Sequence, residues 1–434
     1  MRAIVPFGKT HKYTGIITGL TDIAPEGIEV KEVIDLPDDA PIIREPQLEL
    51  WKWISEYYIC PIGDVLKAAL PAELKPEEGK KGIIREDFRP KSKTFIELTL
   101  PGWDEDGELP KDEKSDISMN PIAQRNKKIA EALASLKRAE KQQELFMKLI
   151  DMSHYLDKSF SDSKGERNSS ALVAQDELLQ ASGASAAILK ELIKKGLCQQ
   201  KEVVVSRLGF IENEDIKTVP PHPLTEMQKI ADRDICISFK DNNVTLLHGG
   251  TSSGKTEIYM HLMQEVISSR KQVLMMVPEI ALTTQLCTRL RRVFGNRMIV
   301  YHSKLSNPER VEVWNKILNE ESIDLILGVR SSIFLPFRQL GLIIVDEEHE
   351  PSYKQQDPSP SYHGREAAMI LARRHGAKML LGSATPSLET YYLAKQGRFG
   401  YVRLKERHAG VSMPRISLIS LREDRRDQSM NGLS

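Results

Sequence analysis

Nine residues, His248-Gly249-Gly250-Thr251-Ser252-Ser253-Gly254-Lys255-Thr256, constrain this 434-residue chain more than any other stretch. They fit G-x-x-x-x-G-K-[ST], with Gly249, Gly254, Lys255 and Thr256 in the fixed places. The glycines let the backbone turn tightly and aim successive N–H groups at phosphate oxygens. A helix starting near Thr256 would add the positive end of its dipole to the same anion. Lys255 would reach the β- and γ-phosphates, and the Thr256 hydroxyl would join Mg²⁺. The flanks agree: Val244-Thr245-Leu246-Leu247 reads as a buried strand, and Ile258, Tyr259, Leu262, Met263, Val266 and Ile267 recur at helical spacing. The spacing predicts strand, phosphate loop and helix, hence a nucleoside triphosphate site with Mg²⁺ in which residues 249–256 cradle the phosphates.

Bulk properties exclude more than they assign. Sixty-one basic residues balance sixty-one acidic ones, so any nucleic-acid surface must be a local patch. Cys60, Cys198, Cys236 and Cys287 are scattered without a C-x-x-C pair. That spacing argues against a disulfide framework or a cysteine-rich zinc site and suits a reducing cytoplasm. No apolar run approaches the ~20 residues of a membrane span, and no signal-peptide core opens the chain. The expected location is cytoplasmic, with no membrane partner.

Residues 1–105 are expected to form a small β-rich domain with strands at Ala3–Lys9, Tyr13–Thr18 and Ile28–Ile34. A helix from Leu48 to Tyr58 should bury Leu48, Trp51, Ile54 and Tyr58 on one face. Residues 106–118 lie in an acidic, Pro/Gly-bearing tract (Gly102–Ser118) that reads as a linker. Residues 119–206 are expected to be mostly helical: a charged helix from Pro121 to about Gln142, a more apolar one to Tyr155, and a polar tract at Asp157–Ser170. Next come Gln175–Leu179, a turn at Gly183, a helix from Ala184 to Lys195 and a strand pair near Gln200–Ser206. Helix, turn, helix and β-wing suggest a winged helix; a helical bundle packed beside a larger domain also fits the pattern. A second linker spans 207–222. Within 223–410, apolar strands at Val244–Leu247, Val273–Val277, Met298–Tyr301, Asp324–Leu327, Leu342–Asp346 and Met379–Leu381 alternate with helices. Continuous apolar runs predict a parallel sheet covered on both faces, so the chain as a whole is multi-domain α/β with a doubly wound P-loop lobe. Residues 411–434 would lead onward from that lobe.

The run Leu342-Ile343-Ile344-Val345-Asp346-Glu347-Glu348-His349 delivers acids at a strand's carboxyl end. In a P-loop fold that end lies beside the phosphates. Asp346 is placed to hold Mg²⁺ and Glu347 to orient and deprotonate the attacking water, with Lys255 completing the catalytic set.

Asp346-Glu347-Glu348-His349, followed by Gly382-Ser383-Ala384-Thr385-Pro386-Ser387, resembles motifs II and III of superfamily 2 helicases. Leu224–Gln228 resembles their adenine-reading element. More narrowly, Val277–Thr283, Gly328–Phe337 and Tyr353–Gln356 look like the PriA family of primosomal replication-restart helicases. Val5–Lys9 and Tyr57–Val65 resemble that family's 3′-DNA-binding domain. The resemblance implies ATP as the nucleotide, a RecA-like first helicase lobe that hydrolyses it, 3′-to-5′ unwinding, and recognition of branched forks and single-stranded DNA. It implies other primosome proteins and single-stranded DNA-binding protein as partners. Gln228 would bind adenine, and His349 with Ser383, Ala384 and Thr385 would couple nucleotide state to DNA. Gly8, Arg330, Ser331, Tyr353, Lys354 and Tyr362 would contact DNA, with the rings of Tyr353 and Tyr362 able to stack on bases.

Two departures from the family pattern matter. The first strand or two of the 3′-DNA-binding domain have no counterpart ahead of Met1, and the second motor lobe, with its arginine finger and zinc ligands, has none before Ser434. The family's zinc therefore cannot be carried onto these cysteines. The expectation is a fragment with impaired hydrolysis; the alternative is a DNA- and ATP-binding piece that does not unwind. A nucleotide kinase or ABC-type ATPase is disfavoured by the 346–349 quartet and by the lack of an L-S-G-G-Q run.

Overall fold

The computed structural model describes residues 1–7, 11–23, 26–27, 30–75, 90–99, 121–153, 172–208, 218–250, 253–319 and 322–404. They fall into two compact units, one formed by Met1–Phe88 with Asn213–Ser434 and one by Arg89–Glu212. Gly8, Thr251, Ser252, the whole of the 102–118 and 157–170 tracts, and residues 411–434 lie outside the described residues.

The first unit begins with β1 (Arg2–Phe7) paired antiparallel to β2 (His11–Ile16), then α1 (Glu45–Tyr57) and α2 (Ile62–Ala69). Arg2, buried, is tied to the buried Asp38 through Nε (2.9 Å) and Nη2 (2.6 Å), which satisfies both charges where water cannot. The expected strand at Ile28–Ile34 does not form over its described part. Ile34 meets only Ile4, beside an isolated bridge from Ile4 to Asp35. Val30, Val33 and Ile34 are exposed, so their β-branched side chains have no pleated surface to pack on, and that packing is what strand propensity measures. Helix α1 forms as expected but buries Gln47, Leu50, Trp51 and Ile54, with Leu48 and Tyr58 only half covered. The face is rotated because α1 lies along the larger sheet domain. Gln47 donates to the Phe334 carbonyl (2.6 Å), and Trp314 donates to the Ile42 carbonyl (2.9 Å).

For the second unit, β3 (Ser92–Leu98) pairs antiparallel with both β4 (Val173–Ala174) and β5 (Cys198–Val204). Packed on this sheet are α3 (Pro121–Ser135), α4 (Glu140–Met152), α5 (Gln175–Ser182) and α6 (Ala186–Lys194). Helix α5 ends at Gly183 in the left-handed region (φ 64°), which reverses the chain into α6 and completes the helix–turn–helix. Three details differ from the sequence expectation. The first helix stops at Ser135 because residues 136–138 form a turn, not a continuation to Gln142. The wing near residue 200 is one strand, not a pair. Its partner is β3, with Leu98 opposite Cys198 and Ser92 opposite Val204, so the stretch from Arg89 groups with this unit and not with residues 1–88. Local propensity cannot announce such a non-local pairing.

The rest of the first unit is the doubly wound domain. After α7 (Glu226–Asp241) come β6 (Val244–Gly249), α8 (Lys255–Ser268), β7 (Gln272–Met276), α9 (Thr284–Phe294), β8 (Met298–Tyr301), α10 (Asn307–Asn319), β9 (Leu325–Gly328), β10 (Leu340–Asp346), α11 (Gly364–His375), β11 (Lys378–Ser383), α12 (Leu388–Lys395) and β12 (Gly400–Leu404). The seven strands are parallel in the order β12-β6-β11-β10-β7-β9-β8. Six were expected from their apolar runs. Strand β12 was not, since Gly400-Tyr401-Val402-Arg403-Leu404 alternates as an edge strand does. Among the described residues no helix is long and apolar enough to cross a membrane.

The core of the Arg89–Glu212 unit rests on Leu136, Leu145, Phe146, Leu149, Leu178 and Leu192, all fully buried. Leu149→Ala should therefore cost this unit about 2–5 kcal/mol. Urea unfolding followed by circular dichroism should show the earlier transition, whereas an unchanged midpoint would mean the site collapses without a cavity.

Candidate nucleotide site

The strand order places three carboxyl ends side by side. In the β10–β11 ladder Asp346 is opposite Gly382, and in the β11–β6 ladder Ser383 is opposite His248. Gly249, Ser383 and Asp346 thus open onto one edge, where a doubly wound sheet presents its ligand site.

Gly254 precedes α8 with φ 83°, a conformation that favours glycine. A Cβ there would also stand 2.2 Å from Gln228 Nε2. Lys255 is the first residue of α8; its buried ammonium donates to the Gly249 carbonyl (3.0 Å) and lies 3.9 Å from Glu347 Oε1. Ser253 Oγ is buried with no hydrogen-bond partner among the described residues. Gly250 accepts from Ser253 N (3.1 Å), and Thr256 is half-buried one residue into the helix. Gln228 caps α7 reciprocally with Thr225 and extends Nε2 to the carbonyls of Ser253 (3.4 Å) and Gly254 (3.5 Å). A glycine turn, an ammonium, a helix N-terminus, an unsatisfied hydroxyl and a strand-end carboxylate fit the donor set of a magnesium–nucleotide site.

Asp346 is half-buried at the end of β10, where its Oδ1 accepts from Tyr259 OH (2.9 Å). Gly382 makes that bond possible: a Cβ at this position would lie 1.7 Å from the Tyr259 hydroxyl. Burial pushes the Asp346 carboxyl above the usual carboxylate range, and the neighbouring Glu347 adds to the shift. The Tyr259 bond and Lys255 work in the opposite direction. Glu347, half exposed, sits at φ 45°, an unusual conformation for a residue with a side chain. Such backbone strain persists where surroundings over-determine it, commonly at functional sites.

His349 Nδ1 lies 2.9 Å from Ser383 Oγ and its Nε2 lies 3.3 Å from Thr385 Oγ1. The Ala384 backbone hydrogen-bonds the His248 ring, which sits on the strand feeding the glycine loop. The four expected coupling residues are therefore gathered between β6, β10 and β11. Sequence reasoning missed what locks them. The buried carboxylate of Glu348 accepts from Ser387 N (2.7 Å), Thr390 Oγ1 (2.9 Å) and the Arg365 guanidinium. Only the fold, which brings Arg365 in the first turn of α11 to Glu348, Ser387 and Thr390, reveals its partner. Tyr259, read from periodicity as a core residue of α8, is the other omission.

Of the expected DNA contacts, the two stacking rings are corrected. Tyr353 and Tyr362 are each 1% exposed, so neither ring is available to stack on a base. Tyr353 donates to the Asp346 carbonyl (2.7 Å), and Tyr362 packs edge-on against Phe334 (5.2 Å). Arg330 turns inward, donating to the carbonyls of Ser352 (3.1 Å) and Lys354 (3.0 Å) with its guanidinium over the Tyr362 ring. Lys354 donates to the Ser361 carbonyl and its ammonium stands 4.9 Å from the centre of the Tyr58 ring. Ser331 lies in a 3-10 turn, half-buried. The polar sequence between Tyr353 and Tyr362 disguised the inward direction of both rings.

Fold and site define the class: residues 225–393 match the DEAD/DEAH box helicase model, and the seven-stranded parallel sheet is that of a RecA-like helicase lobe. Residues 1–71 match the PriA 3′DNA-binding domain and residues 114–205 the winged-helix domain of PriA helicase from Bacteroidota. The chain belongs to the replication restart PriA family. It is 36% identical to replication restart protein PriA of Bacillus subtilis, across 98% of this chain and 54% of that one. With the Haemophilus influenzae protein of the same name it shares 31% over 100% of this chain and 52% of the relative. It thus spans about half the length of the curated relatives it matches. Among solved structures, the Hef helicase domain of Pyrococcus furiosus aligns at TM-score 0.33 and 20% identity, covering 44% of this chain and 39% of that one.

Because the folded chain holds the Asp346 proton more tightly than the unfolded chain does, this carboxyl opposes folding increasingly as pH rises above the ordinary carboxylate range. Asp346→Asn should therefore melt at a higher temperature than the parent at pH 7. The gap should close as the pH falls below ~4. Scanning calorimetry at the two pH values checks this, and a variant that melts lower at pH 7 would contradict it.

Proposed function

We propose that residues 223–410 are the ATP-binding first lobe of a 3′-to-5′ DNA helicase of replication restart. In this reading residues 1–71 hold a DNA 3′ end and the Arg89–Glu212 unit, with β3 in its sheet, serves as a winged helix on branched forks. Lys255 and the backbone of residues 249–256 hold the phosphates, and Gln228 receives the adenine. Asp346 and Thr256 hold magnesium, which when bound would neutralise charge on the phosphates. Glu347 orients a water and takes its proton; its carboxylate is partly exposed, so a water can reach it, and Lys255 lies 3.9 Å away. His349, Ser383, Ala384 and Thr385 relay the state of the site toward DNA. The partners are forked and single-stranded DNA, other primosome proteins and single-stranded DNA-binding protein, in the cytoplasm. In the complete motor a zinc module is expected outside the residues assigned here. Gly8, Arg330, Ser331 and Lys354 keep their proposed DNA contacts.

The observation that carries this reading is the 3.9 Å approach of Lys255 to Glu347, from elements ninety residues apart in sequence, at the carboxyl edge of the sheet. A helicase of this class works a cleft between two lobes, and a charge-neutralising arginine there is worth ~10³–10⁵ in rate. The 434-residue polypeptide assayed alone is therefore expected to bind nucleotide, hydrolyse it slowly and not unwind.

Titration with a fluorescent non-hydrolysable ATP analogue should show magnesium-dependent binding that Lys255→Ala weakens by at least about a hundredfold, the loss expected when a charge-assisted contact goes. Equal binding by parent and variant would sink the assignment. Binding to a fork with a free 3′ end should weaken steeply between 50 and 200 mM salt, because neutralised phosphates release counterions. A flat salt response would argue against a DNA partner.

A further inference from the structure

The loop between β10 and α11 is tied to the acidic strand end at its start. Tyr353 donates to the backbone carbonyl of Asp346 (2.7 Å), and Arg330 holds the carbonyls of Ser352 and Lys354. The loop folds back on itself through Gln355 N to the Tyr362 carbonyl (2.9 Å) and a bridge between Lys354 and His363. Its far end is held from elsewhere in the chain. Tyr58, the residue after α1, donates its hydroxyl to Glu366 Oε2 (2.7 Å) and accepts from His363 N (3.0 Å). The Lys354 ammonium lies over the same ring. One phenol thus touches the loop at residues 354 and 363 and the first turn of α11 at 366.

Tyr58 has no part in the phosphate, metal or water contacts described above. Burial and the Glu366 bond push its hydroxyl well above its usual range, so it stays a neutral donor at every working pH. Helix α1 is itself seated on the lobe by Gln47 to Phe334 and by the Glu49–Arg374 ion pair (3.3 Å). The path is short: α1, Tyr58, loop 353–363, Tyr353, and the backbone of Asp346.

We propose that Tyr58 is a positioning residue of the ATP site. Through the 353–363 loop it fixes the backbone at Asp346, so the seating of the N-terminal segment sets how well that carboxylate meets magnesium. This rests on Asp346 being the metal-holding group. It makes residues 1–75 part of the nucleotide site's support, in addition to any DNA they bind.

The test separates metal from phosphate. With the 434-residue chain and a fluorescent non-hydrolysable ATP analogue, Kd is measured in excess Mg²⁺ and in EDTA. Tyr58→Phe keeps the ring and its packing and removes both hydrogen bonds. It should raise Kd in Mg²⁺ by about tenfold, the low end of what losing an outer partner costs a metal site, and leave Kd in EDTA within twofold. Glu366→Ala should behave the same way, while Glu366→Gln, which can still accept from Tyr58, should restore most of the affinity. Should Tyr58→Phe fail to fold, by circular dichroism, the Glu366 pair carries the test alone. Unchanged Kd in Mg²⁺ overturns the proposal, as does equal loss with and without the metal, which would mark a purely structural role. A parent chain with no Mg²⁺-dependent binding would instead remove the assignment of Asp346 and this proposal with it.

Discussion

Parallel pairing of β11 with both β10 and β6 is the constraint on which the site depends. The glycine loop leaves the sheet from β6, the acidic residues leave from β10, and the strand between supplies Gly382 and Ser383. A one-residue slip between β10 and β11 would move Asp346 out of line with Gly382, and one between β11 and β6 would move Ser383 out of line with His248. Leu342, Ile343, Ile344, Val345, Met379, Leu380 and Leu381 are all buried, as expected of a parallel sheet covered on both faces.

From this edge, order spreads by a few bonds of high value. Tyr259 reaches Asp346 from beneath, through a gap that only Gly382 leaves open. Glu348, one residue past the strained Glu347, is buried against Arg365, Ser387 and Thr390 and so ties the acidic turn to the start of α12. Breaking one partner of such a pair leaves an uncompensated buried charge, a loss of about 3–5 kcal/mol. The site is therefore rigid where charge is concentrated, as preorganised electrostatics requires. Tyr58 extends the same rigidity to the N-terminal segment.

Much of this was legible in the sequence, for physical reasons. The glycine loop and the six apolar strands declare themselves because backbone conformation and two-sided burial each demand particular residues in sequence. The gathering of His349 with Ser383 and Thr385 followed from a motif resemblance, and the geometry brings those side chains within 3.3 Å. What was not legible depends on distant pairing. Strand β3 reads like the end of the first domain until β5 is seen beside it. Val30, Val33 and Ile34 have strand composition but no surface to complete them. Tyr353 and Tyr362, in a polar loop, suggested stacking on a ligand, whereas their partners are the protein's own carbonyls and rings. Charge and aromaticity in a loop do not say which way the side chains point.

The central claim is that the glycine loop and the acidic strand end act as one nucleotide site. Amide hydrogen exchange of the chain with and without a magnesium-bound, non-hydrolysable ATP analogue tests it most directly. The account requires exchange to slow together in peptides covering residues 249–256 and 343–349. Protection of one segment without the other, or of neither at saturating nucleotide, would contradict it.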